Sequence, residues 1–318
     1  MHVKRGPPGA AYIPAMKLAT KPETRSFYAG VVQRVIDRIA GDLDQALDLA
    51  TLASSANLSP FHFHRVFRGM VGETPVELTR RLRIERAAWS LVHTERAVTQ
   101  IAFDAGYETH EAFTRAFRAC YGTSPSGFRR RGNQRFEIPA LSGVHFLGTS
   151  GAQRFTPCDT GGRTMNVEIK DLPARRLATV RHTGPYNQVG DAFQRLNTLA
   201  NEAGLFRYPG AAMLALYHDD PDATPPDQLR SDAGITVSDD VALPSGLAEQ
   251  RMPAGRYACT VHHGPYDRLG DTWMRFMGEW LPASEHRIGA GASYEIYLND
   301  PMSTPKEKLE TEICIPIE

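Results

Sequence analysis

Two segments of the chain repeat one pattern of aromatic and polar residues. The first contains Phe63, Arg65 and Phe67, and the second carries the same residue types 50 residues later. Because residues four positions apart share one face of a helix, the paired aromatics predict a buried face and leave polar residues on the other. Arginine donates two hydrogen bonds to guanine, glutamate accepts from cytosine, and threonine packs on the thymine methyl group. The outward-facing polar residues are His64, Arg65, Arg68, His110, Glu111, Thr114, Arg115 and Arg118.

These residue types fit the edges of base pairs, with Arg68 placed for a phosphate. The run Arg129-Arg130-Arg131 follows the second segment and suits further phosphate contacts, so Arg129 joins the predicted DNA-binding residues. The alternative is a solvated helix face, which uses the same residue types. Repetition of the whole pattern favours DNA.

Each polar face belongs to the second helix of a predicted helix-turn-helix motif, at about residues 47–70 and 98–121. A helix over residues 74–94 joins the motifs and spans roughly 30 Å at 1.5 Å per residue. That length is close to one turn of B-DNA, about 34 Å. Two such helices would therefore fit successive major grooves on one side of a duplex.

Composition places the chain among globular proteins and separates its two ends by charge. The 318 residues have a net charge of zero, but residues 25–131 carry +4 and residues 132–318 carry −7. The basic end carries the repeated motif, as expected for a nucleic-acid-binding region. No apolar run reaches the length of a membrane span, and no signal-peptide pattern opens the sequence. We therefore expect a cytoplasmic protein without a membrane partner.

The second half of the chain contains its own repeat, offset by 80 residues. His182-Thr183-Gly184-Pro185-Tyr186 corresponds to His262-His263-Gly264-Pro265-Tyr266. Each copy predicts a strand, a Gly-Pro-Tyr turn, a helix and two more strands. Two such units predict an α+β domain with pseudo-two-fold symmetry and a ligand cleft between its halves. The predicted helices are 192–202 and 272–281, and the predicted strands that follow them are 212–217, 235–237, 293–298 and 311–317.

Metal and cofactor chemistry is not indicated. The adjacent His262 and His263 point to opposite faces of a strand, so they do not form a metal site. The four cysteines lack the short spacing of a zinc or redox motif. We expect no metal, no cofactor and no catalytic residues.

The segment from Ile101 to Arg131 resembles the signature of the AraC/XylS transcription regulators, and the resemblance covers about residues 25–131. The residues that carry it are Ala102, Gly106, Tyr107, Phe113, Arg115, Phe117, Arg118, Gly122, Ser124, Pro125, Phe128 and Arg129. It implies two helix-turn-helix subdomains joined by a linker helix, and it adds Phe61 to the base-reading face. It also implies transcription activation, with RNA polymerase as a partner.

The second half, about residues 164–318, resembles the gyrase-inhibitor-like effector-binding domain of Rob-type and multidrug-responsive regulators. The resemblance is carried by Leu172-Pro173-Ala174-Arg175, the two Gly-Pro-Tyr turns and the segment from Tyr294 to Pro301. It implies an aromatic cleft whose buried acidic residue, at the position of Glu295, recognises bulky and often cationic ligands.

The residues around Glu295 support this role, because Glu295 alternates with apolar neighbours on a predicted strand. A carboxylate in a dry cleft needs a cationic partner, and aromatic faces add cation–π attraction. An exposed strand carboxylate is the alternative for Glu295, and core packing is the alternative for each aromatic. The candidate wall residues are Tyr186, Phe193, Tyr217, Tyr266, Trp273, Phe276, Trp280, Tyr294 and Tyr297.

The sequence thus predicts a multidomain, non-enzymatic regulator that binds double-stranded DNA and a small-molecule effector. Its predicted parts are a flexible tail at 1–24, a DNA-binding region at 25–131, a linker at 132–163 with short extended stretches at 136–141 and 144–147, and an effector-binding domain at 164–318. Two alternatives remain open. One is a hydrolase of reactive small molecules that uses Glu295 with Tyr186 or Tyr266, and the other is a protein inhibitor of a topoisomerase. Oligomeric state is also left open.

Overall fold

The first half of the chain is helical. The computed structural model describes residues 21–45, 49–55, 58–132, 135–148, 155–157, 165–219 and 224–318. The helices of this half are α1 (Lys21–Gly41), α2 (Leu49–Ser55), α3 (Pro60–Val71), α4 (Pro75–His93), α5 (Val98–Asp104), α6 (His110–Tyr121) and α7 (Pro125–Arg131). Most of the predicted tail lies outside the described residues. Its last four residues, 21–24, are instead the first turn of α1, where Thr24 is buried.

Hydroxyl caps explain where four of these helices begin. The Ser59 side chain accepts a hydrogen bond from the His62 N–H at the start of α3. Thr74 forms a reciprocal capping box with Glu77 at the start of α4. The side chains of Thr109 and Ser124 each accept one backbone hydrogen bond, from Ala112 at the start of α6 and from Gly127 at the start of α7. Each cap satisfies a backbone donor that a helix terminus otherwise leaves without a partner.

The second half is built on a curled antiparallel sheet of eight strands. The strands are β1 (Glu168–Leu172), β2 (Arg175–Thr183), β3 (Met213–Tyr217), β4 (Arg230–Val237), β5 (Ala248–Met252), β6 (Gly255–His263), β7 (Tyr294–Tyr297) and β8 (Glu310–Pro316). Their spatial order is β1-β6-β8-β7-β3-β4-β2-β5. The pairing of the central strands β3 and β7, which aligns Ala215 with Glu295, joins the two four-stranded halves of this sheet into one layer.

Two helical segments accompany the sheet. Helix α8 (Gly190–Glu202) packs on β2 and β4. Helix α9 (Leu269–Arg275) continues through a π-helical turn (Phe276–Trp280) into the short α10 (Leu281–Ala283). The predicted helix 272–281 therefore begins three residues earlier than expected and is widened in its second half.

The predicted extended stretches at 136–141 and 144–147 are not strands of the sheet, which corrects the sequence prediction. The reason is the fully buried Glu85 of α4. Its carboxylate accepts hydrogen bonds from the backbone N–H groups of Ile138 at 2.9 Å and Phe146 at 2.8 Å. Those donors are thus satisfied by a side chain rather than by a neighbouring strand, and the segment is held against α4.

One hydrophobic core runs across both halves of the chain. Phe63 and Phe67 of α3 belong to the same buried cluster as Trp273 and Phe276. We call this cluster the shared core. Because these large side chains bury each other, the helical half and the sheet half pack as neighbours. No helix among the described residues is long and apolar enough to cross a membrane.

Candidate DNA-binding helices and effector site

Helix α6 presents the polar face that its sequence predicts. Phe113 and Phe117 are fully buried, whereas Glu111, Arg115 and Arg118 are exposed. His110 and Thr114 are half-buried and lie 3.4 Å apart between Nε2 and Oγ1. The exposed charged side chains are thus accessible to a duplex.

Helix α3 is placed differently, although it has the same sequence pattern. His64 is only 2% exposed and His62 only 5%, while Arg65 and Arg68 are half-buried. The prediction that His64 reads bases is wrong for this conformation, because a buried imidazole does not reach a major groove. The side chain of Phe61 lies outside the described part of the chain.

The face of α3 that was predicted to meet DNA packs against α9 and its π-helical turn. The guanidinium carbon of Arg65 lies 4.6 Å from the ring centroid of Trp273. The imidazole Nε2 of His62 lies 2.7 Å from the Ser293 hydroxyl. A Cβ atom on Gly69 would overlap the Cα of Gly278, so the two backbones touch without any intervening side chain.

Arg129 is also engaged within the helical half. Its guanidinium donates to the backbone carbonyl of Leu91 at 3.0 Å and to that of Arg96 at 2.6 Å. Both carbonyls lie at or beyond the last turn of α4, so Arg129 ties α7 to the end of the linker helix. Its predicted phosphate contact would have to share a guanidinium already used for this structural role.

Glu295 occupies a closed polar site within β7, where it is 3% exposed. The indole Nε1 of Trp273 donates to its Oε1 at 2.6 Å, and the Tyr297 hydroxyl donates to its Oε2 at 3.3 Å. Burial raises the pKa of the Glu295 carboxyl, while the hydrogen bonds from Trp273 and Tyr217 and the positive charge of Arg65 act in the opposite direction. The carboxylate therefore lies where a positive charge stabilises it.

Aromatic rings surround this carboxylate on the same side of the sheet. Tyr297 lies 5.3 Å from both Phe193 and Tyr266 between ring centroids, and Tyr186 lies 4.8 Å from Tyr217. The hydroxyls of Tyr217 and Tyr297 are 3.4 Å apart. We call Glu295, Trp273 and these five rings the aromatic site.

Three other predicted wall residues, Phe276, Trp280 and Tyr294, lie outside the aromatic site. Trp280 packs against Phe276 at 5.3 Å and against His286, next to the shared core. Tyr294 contacts Tyr257 on the other face of the sheet, because adjacent strand residues point in opposite directions. Sequence periodicity could have excluded Tyr294, whereas the positions of Trp280 and Phe276 depend on the π-helical turn.

The chain matches two family models. The model of a GyrI-like small molecule binding domain matches residues 165–318. A helix-turn-helix domain model matches residues 52–131.

Curated relatives cover each part. A DNA gyrase inhibitor of Serratia proteamaculans is 40% identical over 144 residues, which are 43% of this chain and 88% of that protein. The regulatory protein SoxS of Salmonella typhimurium is 34% identical over 101 residues, which are 32% of this chain and 94% of SoxS. The chain belongs to the AraC-type helix-turn-helix regulators. Its C-terminal half is a GyrI-like domain, as the sequence resemblance predicted.

Solved structures give weaker matches. The crystal structure of the EcmrR C-terminal domain is 20% identical, with a TM-score of 0.40, and the match covers 49% of this chain and 99% of that one.

The contact between α3 and the GyrI-like domain was not predicted from the sequence. Gly69 and Gly278 both interrupt helical segments with a residue that lacks a side chain, and such glycines indicate close approach of two backbones. That signal identifies each glycine as a contact point but does not identify its partner.

A second polar cluster lies on the sheet, away from the aromatic site. Cys259 and Cys314 face each other on β6 and β8 with their sulfur atoms 3.1 Å apart. The Glu312 carboxylate lies within 4.8 Å of both sulfur atoms and accepts a 2.5 Å hydrogen bond from Lys170. The hydrogen bond with the neighbouring Cys259 and burial both raise the pKa of the Cys314 thiol, and a thiol binds a metal only after it loses its proton.

Proposed function

We propose that this AraC-type regulator activates transcription in the cytoplasm and that its GyrI-like domain binds a bulky cationic effector. The observation that carries the effector assignment is the buried Glu295 carboxylate inside a shell of aromatic rings. A buried carboxylate is costly unless a positive charge or strong hydrogen bonds compensate it. Aromatic faces attract cations, and the attraction grows when water is excluded.

The aromatic site supports selectivity for size as well as charge. Its rings offer apolar faces that a small hydrated ion cannot use but a lipophilic cation can. Trp273 and Tyr297 already donate to the two Glu295 oxygens. An effector therefore needs to supply charge and apolar area rather than hydrogen-bond donors.

The DNA-binding proposal rests on α6 and on the length of α4. The side chains of Glu111, Arg115 and Arg118 are exposed on one helix. Helix α4 has 19 residues, or roughly 28 Å at 1.5 Å per residue, which supports two recognition helices about one helical turn apart. Activation through RNA polymerase rests on membership of the AraC-type regulators.

We also propose that the GyrI-like domain is an internal duplication with pseudo-two-fold symmetry. An 80-residue offset relates β1 to β5, β2 to β6, β3 to β7 and β4 to β8. If each strand is replaced by its counterpart and the sheet is read from the opposite edge, the strand order is unchanged. Residues 132–163 are the proposed linker between this domain and the DNA-binding region.

Cation binding by the full chain tests the effector assignment. We expect tetraphenylphosphonium to quench tryptophan fluorescence with an affinity that Glu295→Gln lowers at least tenfold. The amide keeps the size of the side chain and the hydrogen bond from Trp273 but removes the charge. A neutral analogue, triphenylphosphine oxide, should bind both proteins equally. Equal cation affinity in both proteins would remove Glu295 from the binding site.

Gyrase inhibition is a second candidate function, because the gyrase inhibitor of Serratia proteamaculans is 40% identical to the C-terminal half. A supercoiling assay with purified gyrase tests it. Inhibition by the full chain that persists in Glu295→Gln would favour a protein–protein role for this domain over effector sensing.

A further inference from the structure

We propose that Arg65 is a built-in occupant of the aromatic site, which holds the first recognition helix, α3, against the GyrI-like domain until a cationic effector displaces it. This inference rests on the proposed function, since it names how the same site is regulated. Arg65 then contacts either the aromatic site or DNA, but not both at once.

The first argument is the position of the guanidinium. Arg65 lies over the face of Trp273 at 4.6 Å, within the usual range of a cation–π contact. The indole N–H of the same Trp273 donates to Glu295. Burial raises the pKa of the Glu295 carboxyl, and the nearby positive charge of Arg65 partly opposes that rise. Arg65 thus uses the ring and the carboxylate that a cationic effector needs.

The second argument is that the docked α3 cannot bind a major groove. Phe63 and Phe67 are buried in the shared core on one side of the helix. Gly69 touches the Gly278 backbone on the other side, and His62 is hydrogen-bonded to Ser293. With these two sides covered, His64 is buried and Arg65 and Arg68 are only half-exposed, so the docked α3 has no face that can enter a major groove. The exposed α6 is free of this restriction, so the docked protein has one accessible recognition helix among its two motifs.

The third argument links the ligand site to the docking contact through one helical segment. Trp273 and Gly278 lie five residues apart on α9 and its π-helical turn. Single π-helical turns inside helices occur frequently at functional sites. A bulky molecule on Trp273 therefore acts on the same short segment that contacts α3.

Competition at one site has a thermodynamic consequence. If α3 and the cation exclude each other from the aromatic site, undocking of α3 favours both the binding of the cation and the binding of DNA. The coupling is reciprocal: the cation must raise the affinity for a two-box site by the same factor as that DNA raises the affinity for the cation. Couplings of this kind amount to about 5- to 150-fold.

The decisive experiment measures tetraphenylphosphonium affinity in the full chain without DNA. We expect Arg65→Ala to bind the cation at least fivefold more tightly than the wild type, because the internal competitor is gone. Arg65→Lys, which retains a cation, should remain near the wild type. Arg115→Ala is the matched control: Arg115 occupies the equivalent position in α6 and is exposed, so its removal should leave cation affinity unchanged.

The result separates this inference from the proposed function. Equal cation affinity in the wild type and Arg65→Ala would overturn the competition and leave the effector site intact. No cation binding by either protein would overturn both.

A second pair of variants tests docking without touching either binding site. Gly278→Ala places a Cβ against the Gly69 backbone, whereas a Cβ on Gly270 of the same helical segment meets no atom within 4 Å. We expect Gly278→Ala to bind a two-box duplex at least fivefold more tightly than the wild type without any cation, and Gly270→Ala to behave as the wild type. Unchanged DNA affinity in a folded Gly278→Ala, judged by its circular dichroism, would overturn the docking device.

Discussion

Trp273 shows how one side chain serves two partners through two different parts of its ring. The indole N–H is polar and donates to Glu295, while the ring face is electron-rich and accepts the Arg65 guanidinium. The two interactions reinforce each other, because the carboxylate at the edge of the ring increases the attraction for a cation above it. A phenylalanine at this position would keep only the second interaction.

Arg115 is the residue whose loss should most directly weaken DNA binding. It is exposed on α6, and an arginine that contacts guanine contributes about 1–3 kcal/mol of discrimination. We expect Arg115→Ala to lower the affinity for a selected duplex roughly 5- to 150-fold, measured by gel shift at one stated salt concentration. Arg25→Ala removes the same charge from the exposed surface of α1 and should change affinity less than threefold. Similar losses in both variants would show that Arg115 contributes charge alone.

Asp232 should control stability at acid pH. Its carboxylate accepts hydrogen bonds from Arg181, His218 and Gln250, and although burial opposes ionisation, these bonds hold its pKa at about 2. Since the unfolded chain protonates near 3.9, Asp232 stabilises the fold above that pH and loses this effect as pH falls towards 2. Asp232→Asn should melt below the wild type at pH 6, with the difference shrinking between pH 4 and pH 2.5. A constant difference over that interval would contradict the assignment.

At the scale of elements, helices α3 and α6 share one sequence pattern but lie in different surroundings. Both helices begin at a hydroxyl cap, bury two phenylalanines and end at a glycine with positive φ, 83° at Gly72 and 68° at Gly122. They differ in what covers the other face. Residues His62 and Gly69 of α3 meet the GyrI-like domain, whereas the corresponding face of α6 meets solvent.

The docking of α3 should weaken below neutral pH because of His62. Burial, assisted by the positive charge of Arg65, lowers the pKa of this imidazole to about 4, so the docked state keeps it neutral. An undocked or unfolded chain takes up the proton near pH 6.5. Docking is therefore fully stabilised above pH 6.5 and loses stability as pH falls towards 4.

Melting temperature measured from pH 7.5 to pH 5 tests this prediction. The wild type should lose stability over that range, and His62→Gln, which cannot titrate, should lose less. His110→Gln is the control on α6 and should follow the wild type. Parallel curves for all three proteins would exclude His62 as the titrating group.

At the scale of the whole molecule, the two predicted recognition helices are not equivalent, because α3 is covered and α6 is exposed. In the proposed mechanism, the accessible α6 reads one DNA box, and α3 reads the second box only after its release. The docked arrangement is held by close packing, because Phe63 and Trp273 belong to one buried cluster.

The spacing between DNA boxes provides the test at this scale. Insertion of five base pairs between the boxes rotates one box by half a turn relative to the other. Helix α4 then cannot place α3 and α6 in both boxes at once. With tetraphenylphosphonium present, we expect the insertion to lower affinity at least tenfold. Without the cation, when α6 alone is accessible, the insertion should change affinity less than threefold. Equal sensitivity in both conditions would mean that both helices bind DNA in the docked state.

The sequence by itself determined the local features of this protein. Helical periodicity predicted the ends of α3 and α6 and the bounds of α4 to within a few residues, and the family resemblance predicted Glu295 as the acidic residue of a ligand site. Those features depend on neighbours within a turn or on one strand, where side-chain geometry follows directly from spacing. The helical first half and the strand-rich second half were predicted on the same basis.

The tertiary structure decided which of those features meet. The contacts of Arg65 with Trp273, of Gly69 with Gly278 and of Glu85 with Ile138 join residues far apart in the chain. No periodicity encodes such partners, because they depend on how two separately patterned halves pack and on a π-helical turn that rotates the residues after Trp273. The burial of His64 and the position of Trp280 follow from that packing, which is why the sequence predicted both incorrectly.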